Sequence, residues 1–253
     1  MVRLKLVCLF FTWVGCFLVL SGCLSIPRPR SLRMGERLMF EEHNRKFARL
    51  HAQWLNVKDR SDAESRKKAE KLLKAMEEER IYSPMAKYFF ATRLIAQNKP
   101  ESPQFARAVH WLEEAVEEHY LPAMTFLGKL YMDGAGVTRS TTKGFRLFLM
   151  AATRGDPDAM YNLGMIYALG YHGRRSDEDA IYWFQKANAA KDLKDPYCWQ
   201  WLGMIYLRRS GSPQDLAMAR KCLERAAAAG LPQAMFFLGV MLKRGLGGPV
   251  DVK

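Results

Sequence analysis

Five histidines, five cysteines and the glutamate pairs Glu113-Glu114 and Glu117-Glu118 are the side chains in this 253-residue chain whose types and spacing could do chemistry. His43, His51, His110, His119 and His172 do not stand with cysteine or aspartate at metal-ligand spacing, so they read as surface or edge histidines and no metal is expected. Glu113, Glu114, Glu117 and Glu118 share one helix face. Paired carboxylates can act as general acid and base, but this run reads as a solvated acidic face. No His-Glu-x-x-His, Gly-x-Ser-x-Gly or phosphate-loop pattern occurs. The turn Gly134-Ala135-Gly136 follows no strand and joins two helical patterns, so it is not a nucleotide cradle. The chain is therefore expected to be no enzyme and to need no cofactor.

Composition agrees with a folded globular protein. The chain is 49% hydrophobic and 26% charged, too apolar for a disordered tail, and its slightly negative mean hydropathy excludes a polytopic membrane protein. Lys and Arg number 39 against 26 Asp and Glu, a net charge of +13. Five cysteines are too few for a disulfide-dense scaffold.

The N-terminus carries the clearest modification signal. Arg3 and Lys5 precede an apolar run from Leu6 to Leu20, too short to span a bilayer. It ends in Leu20-Ser21-Gly22-Cys23. This resembles the lipobox of bacterial lipoproteins, in which the cysteine is diacylated and becomes the first residue. The resemblance implies that residues 1–22 are a cleaved signal peptide and that Cys23 anchors the mature chain to a membrane. Two acyl chains suffice for stable anchoring. Loss of Arg3 and Lys5 takes the net charge from +13 to +11. Leu24 and Ser25, with no Asp after the cysteine, favour the outer membrane of a Gram-negative cell, facing the periplasm.

Residues 23–35, with Pro27, Pro29, Arg28, Arg30 and Arg33, read as an extended tether beside the head groups. Residues 36–82 read as a charged helical segment. Its first helix spans about 36–56, with Leu38, Met39, Phe47, Leu50, Trp54 and Leu55 at helical spacing. Ser61-Asp62-Ala63-Glu64 then resembles a capping box for a second helix reaching Arg80, whose charges form a solvated face.

The remainder is repetitive. Leu-Gly-x-x-Tyr occurs at Leu127, Leu163 and Leu202 and recurs as Leu238-Gly239…Leu242, with spacings of 36, 39 and 36. Phe90-Ala91…Leu94 is a degenerate copy. Ala86, Ala123, Ala159, Cys198 and Ala234 lie four residues before these positions, each just after a proline suited to a first helical turn. A second block aligns Ala108, Gly144, Ala180 and Ala219, then Trp111, Leu147, Trp183 and Cys222, then Ala115, Ala151, Ala187 and Ala226. Asp156, Asp195, Ser102, Ser176 and Ser212 stand as helix caps, and Gly155 and Gly230 as stops. Each period is thus helix A, turn, helix B, turn. The small residues let helices approach closely, and the hairpins must stack to bury their apolar faces. The units run 84–121, 122–156, 157–195, 196–231 and a half repeat 232–253.

This pattern resembles the Sel-1-like repeat, a relative of the tetratricopeptide repeat. The resemblance implies an all-α, right-handed solenoid of helix hairpins and a protein-interaction scaffold, in bacteria often serving envelope assembly, secretion or exopolysaccharide export. If the tetratricopeptide register carries over, the concave face takes residues two before and two after the repeat Leu: Tyr88 and Thr92, Thr125 and Lys129, Tyr161 and Met165, Gln200 and Met204, Phe236 and Val240. The partner would be a protein of an envelope or secretion complex. The alternative occupant is an acidic polysaccharide or anionic lipid, held along a basic edge of Arg139, Arg174, Arg175, Arg208, Arg209, Lys243 and Arg244. Cations at helix C-termini are also favourable by themselves. Nucleic acid is disfavoured by the expected location. Cys198 and Cys222 lie on helices A and B of one hairpin; they are expected either to bridge in an oxidising compartment or to serve as plain core. The last helix A is followed by no helix B in these residues, and its apolar face is expected to dock a second copy or an envelope partner.

Overall fold

The computed structural model describes residues 30–248 apart from 61, 172, 174, 192–194 and 210, with the side chains of residues 30–38 and 40 also left aside. The expected signal peptide, the expected lipidation residue Cys23, Arg174 and the segment from Pro249 lie outside the described residues. The chain separates after Glu42 into two units. The described part of the first is the opening half of α1 (Arg30–Leu55). That helix corrects the extended tether, since it begins at Arg30 and not beyond 35. Proline restrains the residue before it and not those after it, and from Arg30 on only Gly35 is a poor helix former.

In the second unit, the rest of α1 is followed by α2 (Ala63–Glu78) and a 3₁₀ turn (Glu79–Ile81). Asp62 is the cap, accepting from the Ser65 amide at 2.7 Å. Phe47, Met76 and Ala86 form a small core with Trp54 and Phe89 against it. The charged segment is not solvated throughout. Glu79 is buried, holding Lys46 at 2.6 Å and His43 at 2.7 Å. Those bonds outweigh the burial that would raise its carboxyl, so its pKa lies below the ordinary value. His51 stacks among Phe47, Trp54 and Phe89, and burial there lowers its pKa.

Helix hairpins follow in series: α3 (Pro84–Gln97) with α4 (Pro103–Glu117), α5 (Leu121–Asp133) with α6 (Thr141–Ala152), α7 (Pro157–Leu169) with α8 (Asp177–Ala190), and α9 (Pro196–Arg209) with α10 (Pro213–Ala228). A last helix A, α11 (Pro232–Lys243), closes the described residues, among which there is no strand. Ser83, Ser102, Ser140, Ser176 and Ser212 each cap a helix by accepting an amide three residues on, and Asp156 accepts two.

The repeat positions explain the stacking. Ala86, Ala123, Ala159, Cys198 and Ala234 are all fully buried. Gly128, Gly164 and Gly203 each face a large side chain of their own helix B. A Cβ on Gly128 would lie 2.9 Å from Phe148, on Gly164 2.8 Å from Phe184, and on Gly203 2.6 Å from Leu223. The bare glycine lets each ring or isopropyl group sit down on the backbone of helix A. Phe148, Phe184 and Leu223 are thereby removed from water, about 2–3 kcal/mol each. At the ends of α4 and α6 the chain turns through left-handed residues, His119 (φ 64) and Gly155 (φ 96).

Candidate binding groove

Two adjoining cavities open on the face that the register assigns to ligand. The first, about 340 Å³, lies between α3, α5 and the start of α7, with Tyr88, Thr125, Phe126, Lys129, Asp156 and Asp158 on its walls. The second, about 290 Å³, lies between α5 and α7, with Lys129, Met132, Arg139, Asn162, Met165 and Tyr171. Lys129 belongs to both, so they form one groove across two repeats.

Its floor is set by aromatic packing. The Tyr88 ring meets Tyr120 at 5.6 Å and Phe126 at 6.1 Å. Burial, reinforced by the Asp158 and Asp156 charges, pushes the Tyr88 phenol up. Burial pushes Tyr120 to about 12. Both stay neutral donors at physiological pH. Aromatic walls beside carboxylates and one exposed lysine suit an extended peptide, whose side chains are part apolar and whose backbone is polar.

Of the ten residues assigned to the concave face, Tyr88, Thr125, Lys129 and Met165 line this groove. Others are used to join repeats. Thr125 itself is buried and donates to Asp156 at 2.8 Å. Tyr161 accepts from the Trp201 indole at 3.0 Å, and Gln200, also buried, donates to Gln233 at 2.9 Å. Thr92 donates to the carbonyls of Tyr88 and Phe89 in its own helix. Met204 and Val240 are half-buried, and Phe236 is exposed. Gln200 is thus a joint between hairpins, and Thr125 is at once a groove wall and a joint. Residues one turn before Thr125 and one turn after Lys129, Leu121 and Asp133, also line the groove; extending the face by four in each direction would have found them. Tyr171 follows the left-handed Gly170 and no helical wheel could place it.

The acidic face is also corrected. Glu118 and Glu114 hold the buried Lys87 at 2.7 and 3.1 Å, tying the two helices of one hairpin together. Burial alone would lower the Lys87 pKa, but the two carboxylates hold it above the ordinary lysine value. Lys191 similarly joins Asp158 at 2.9 Å and Asp195 at 2.8 Å.

The basic edge is interrupted by acids. Arg175 lies 3.6 Å from Asp177, Arg208 pairs with the same carboxylate, and Arg209 reaches Glu178 at 3.4 Å. Arg139 donates to the Met132 carbonyl at 3.0 Å, while Lys243 and Arg244 are exposed. The edge is a mixed-charge rim and not a continuous cationic stripe, because the first turn of α8 carries Asp177, Glu178 and Asp179.

Cys198 and Cys222 do not bridge. Both are free and fully buried, filling an alanine slot on α9 and a large-residue slot on α10. Burial pushes their thiols up to about 12 and about 11. Among the described residues, no three His, Cys, Asp or Glu side chains converge as metal ligands, and no helix is long and apolar enough to cross a membrane.

Known proteins share this architecture. The family model described as Sel1 repeat matches residues 100–120, 121–156, 157–192, 201–231 and 232–253. The chain is 31% identical over 111 residues to the ERAD-associated E3 ubiquitin-protein ligase component HRD3B of Arabidopsis thaliana, covering 43% of this chain and 17% of that protein. It is 33% identical over 125 residues to an uncharacterized protein of Neisseria meningitidis, covering 49% of this chain and 25% of that one. Chitin synthase regulatory factor 3 of Schizosaccharomyces pombe is 29% identical over 153 residues, with 56% of this chain and 16% of that protein covered. The chain thus spans at most a quarter of the length of these relatives. Two solved structures share the fold: a Sel1 repeat protein from Oxalobacter formigenes (TM-score 0.57, 24% identity, 66% of this chain and 67% of that one) and c5321, a protective antigen of uropathogenic Escherichia coli (TM-score 0.66, 22% identity, 84% and 45%). With repeat matches over more than half of its length, and with glycine-seated hairpins as its structural unit, the chain belongs to the Sel1 repeat family.

Proposed function

We propose that this protein is a non-catalytic scaffold that holds a protein partner at the cell envelope. The observation that carries the reading is the groove shared through Lys129, which is open, aromatic-walled and spans two repeats. Two of the relatives bear names of proteins that serve another enzyme, a ligase component and a synthase regulatory factor, and that use of the fold suits a chain with a groove and no catalytic constellation. The finer reading rests on the sequence: Leu20-Ser21-Gly22-Cys23 supports lipidation at Cys23, and Leu24-Ser25 supports a periplasm-facing position on the outer membrane. Envelope assembly, secretion and exopolysaccharide export are the processes such a scaffold would serve. Binding of acidic polysaccharide or anionic lipid along the basic edge is the weaker reading, since Asp177 and Glu178 already engage three of its arginines.

Cross-linking in intact cells tests the groove. A photo-reactive residue at Lys129 should capture a protein partner, and one at the exposed, groove-distant Glu224 should not. Equal capture at both positions, or none at Lys129, would sink the reading. Cys23→Ala should abolish acyl labelling; normal labelling would remove the anchor.

A further inference from the structure

The two halves of the groove differ in chemistry. The first cavity sets the rings of Tyr88 and Phe126 beside Asp156 and Asp158. Asp156 is met by the Thr125 hydroxyl and by the amides of Asp158 and Ala159, and it forms no ion pair among the described residues. Asp158, with a side chain 62% exposed, gives one oxygen to Lys191, which also bonds Asp195. One lysine is thus divided between two carboxylates. The N-terminus of α7 adds roughly half a positive charge, which leaves this wall net negative.

The second cavity is floored by Met132, Met165, Phe148 and Ile166, with Tyr171 exposed on its rim. Phe148 and Ile166 are buried and hold the floor in place, while the unbranched methionines adapt to more than one apolar shape. Lys129 is exposed, borders both cavities and forms no ion pair among the described residues. Its charge disfavours a cation in either cavity. Only the first has carboxylates in excess to outweigh it, since in the second Arg139 joins Lys129 against Asp133 alone. From Thr125 to Met132 is two turns of α5, about 10 Å. An extended chain covers that distance in about three residues.

We propose that the groove reads an extended segment of its protein partner through two side chains about three residues apart. A lysine or arginine enters between Tyr88, Phe126 and Asp158, and a large apolar side chain lies over Met132 and Met165. This assignment rests on the groove being the partner's site. A cation in the first cavity gains from the ring faces and from the carboxylates together. An acidic side chain there meets only like charge, so the groove selects against acidic segments. The second cavity offers a basic side chain no such compensation, which fixes the register of the segment.

The probe is a ribosome-displayed library of random nonapeptides, selected on the full chain in detergent. Enriched peptides should carry Lys or Arg and, about three residues away in either direction, Leu, Met or Phe. The tightest is then titrated by fluorescence anisotropy. Norleucine in place of its basic residue keeps an aliphatic chain and drops the charge, and should weaken binding about fivefold at low salt. Asp158→Asn should weaken the basic peptide several-fold and the norleucine peptide much less. Serine in place of the apolar residue should also cost several-fold, and Tyr171→Ala should reduce that difference. Peptides that cross-link to a photo-reactive residue at Lys129 yet carry no basic residue, or that lose equally to Asp158→Asn with and without their charge, would overturn the assignment and leave the groove as a binding site. Enriched peptides that fail to cross-link at Lys129, or no enrichment at all, would remove the groove itself and the assignment with it.

Discussion

Gly164→Leu tests the packing rule where the seated side chain is an aromatic ring hemmed in by other rings. A Cβ at this position would stand 2.8–2.9 Å from three atoms of the Phe184 ring, inside any normal carbon contact. Phe184 is fully buried, flanked by Tyr161 at 5.5 Å and stacked on Trp201 at 5.9 Å, so it has no free direction in which to retreat. Replacing an interior helical glycine by a good helix former gains about 1 kcal/mol. Overpacking of a full core costs about 1–3 kcal/mol for added methylenes, and here four carbons enter at once. The net expectation is a loss of about 2–3 kcal/mol, which for a unit of this size lowers the melting temperature by roughly 4–12 °C. Circular dichroism melts of the full chain in detergent read this directly. An unchanged melting temperature would show that Phe184 does not sit on Gly164, and the helix A–helix B register would fall with it.

Three further outcomes follow from the same packing. His119 holds a left-handed φ of 64°, where the next hairpin has Gly155, so His119→Gly should stabilise by about 0.5–1 kcal/mol, read as a higher urea midpoint; a lower midpoint would refute the strain. Glu79 has a depressed pKa, so its pairs with His43 and Lys46 contribute above the unfolded carboxylate value near 4.3 and are lost as pH falls through the folded pKa. Glu79→Gln should accordingly cost about 1.5–3 kcal/mol at pH 7 and much less at pH 3; a pH-independent penalty would mean the charge is irrelevant. Cys198 and Cys222, fully buried with thiols raised to about 12 and about 11, should resist maleimide in the native state and react fully in urea; fast native labelling would refute the burial, and absent labelling in urea would reveal a bridge.

Much of the architecture was written in local rules. The Leu-Gly period, the prolines at first turns, and the caps Ser102, Asp156, Ser176 and Ser212 act within a few residues of themselves, so they are readable from the chain alone. The alternation of helices A and B and their small-residue contacts follow from them. The tether is where local reading failed, because the prolines at 27 and 29 were allowed to govern residues that they do not constrain.

What only the tertiary structure decided are the pairings between residues about one period apart. Sequence could place Thr125 and Gln200 on faces, but not show that Asp156 and Gln233 would occupy them. A polar residue on a solenoid face is either a ligand contact or a joint to the next hairpin, and the choice depends on the rotation between hairpins. The same rotation brings Asp177 and Glu178 against Arg208 and Arg209 and so divides the basic edge. It also leaves Lys129 between two cavities. Helix formation is set by neighbours along the chain, whereas the groove and the joints are set by how hairpins stack, which no single period encodes.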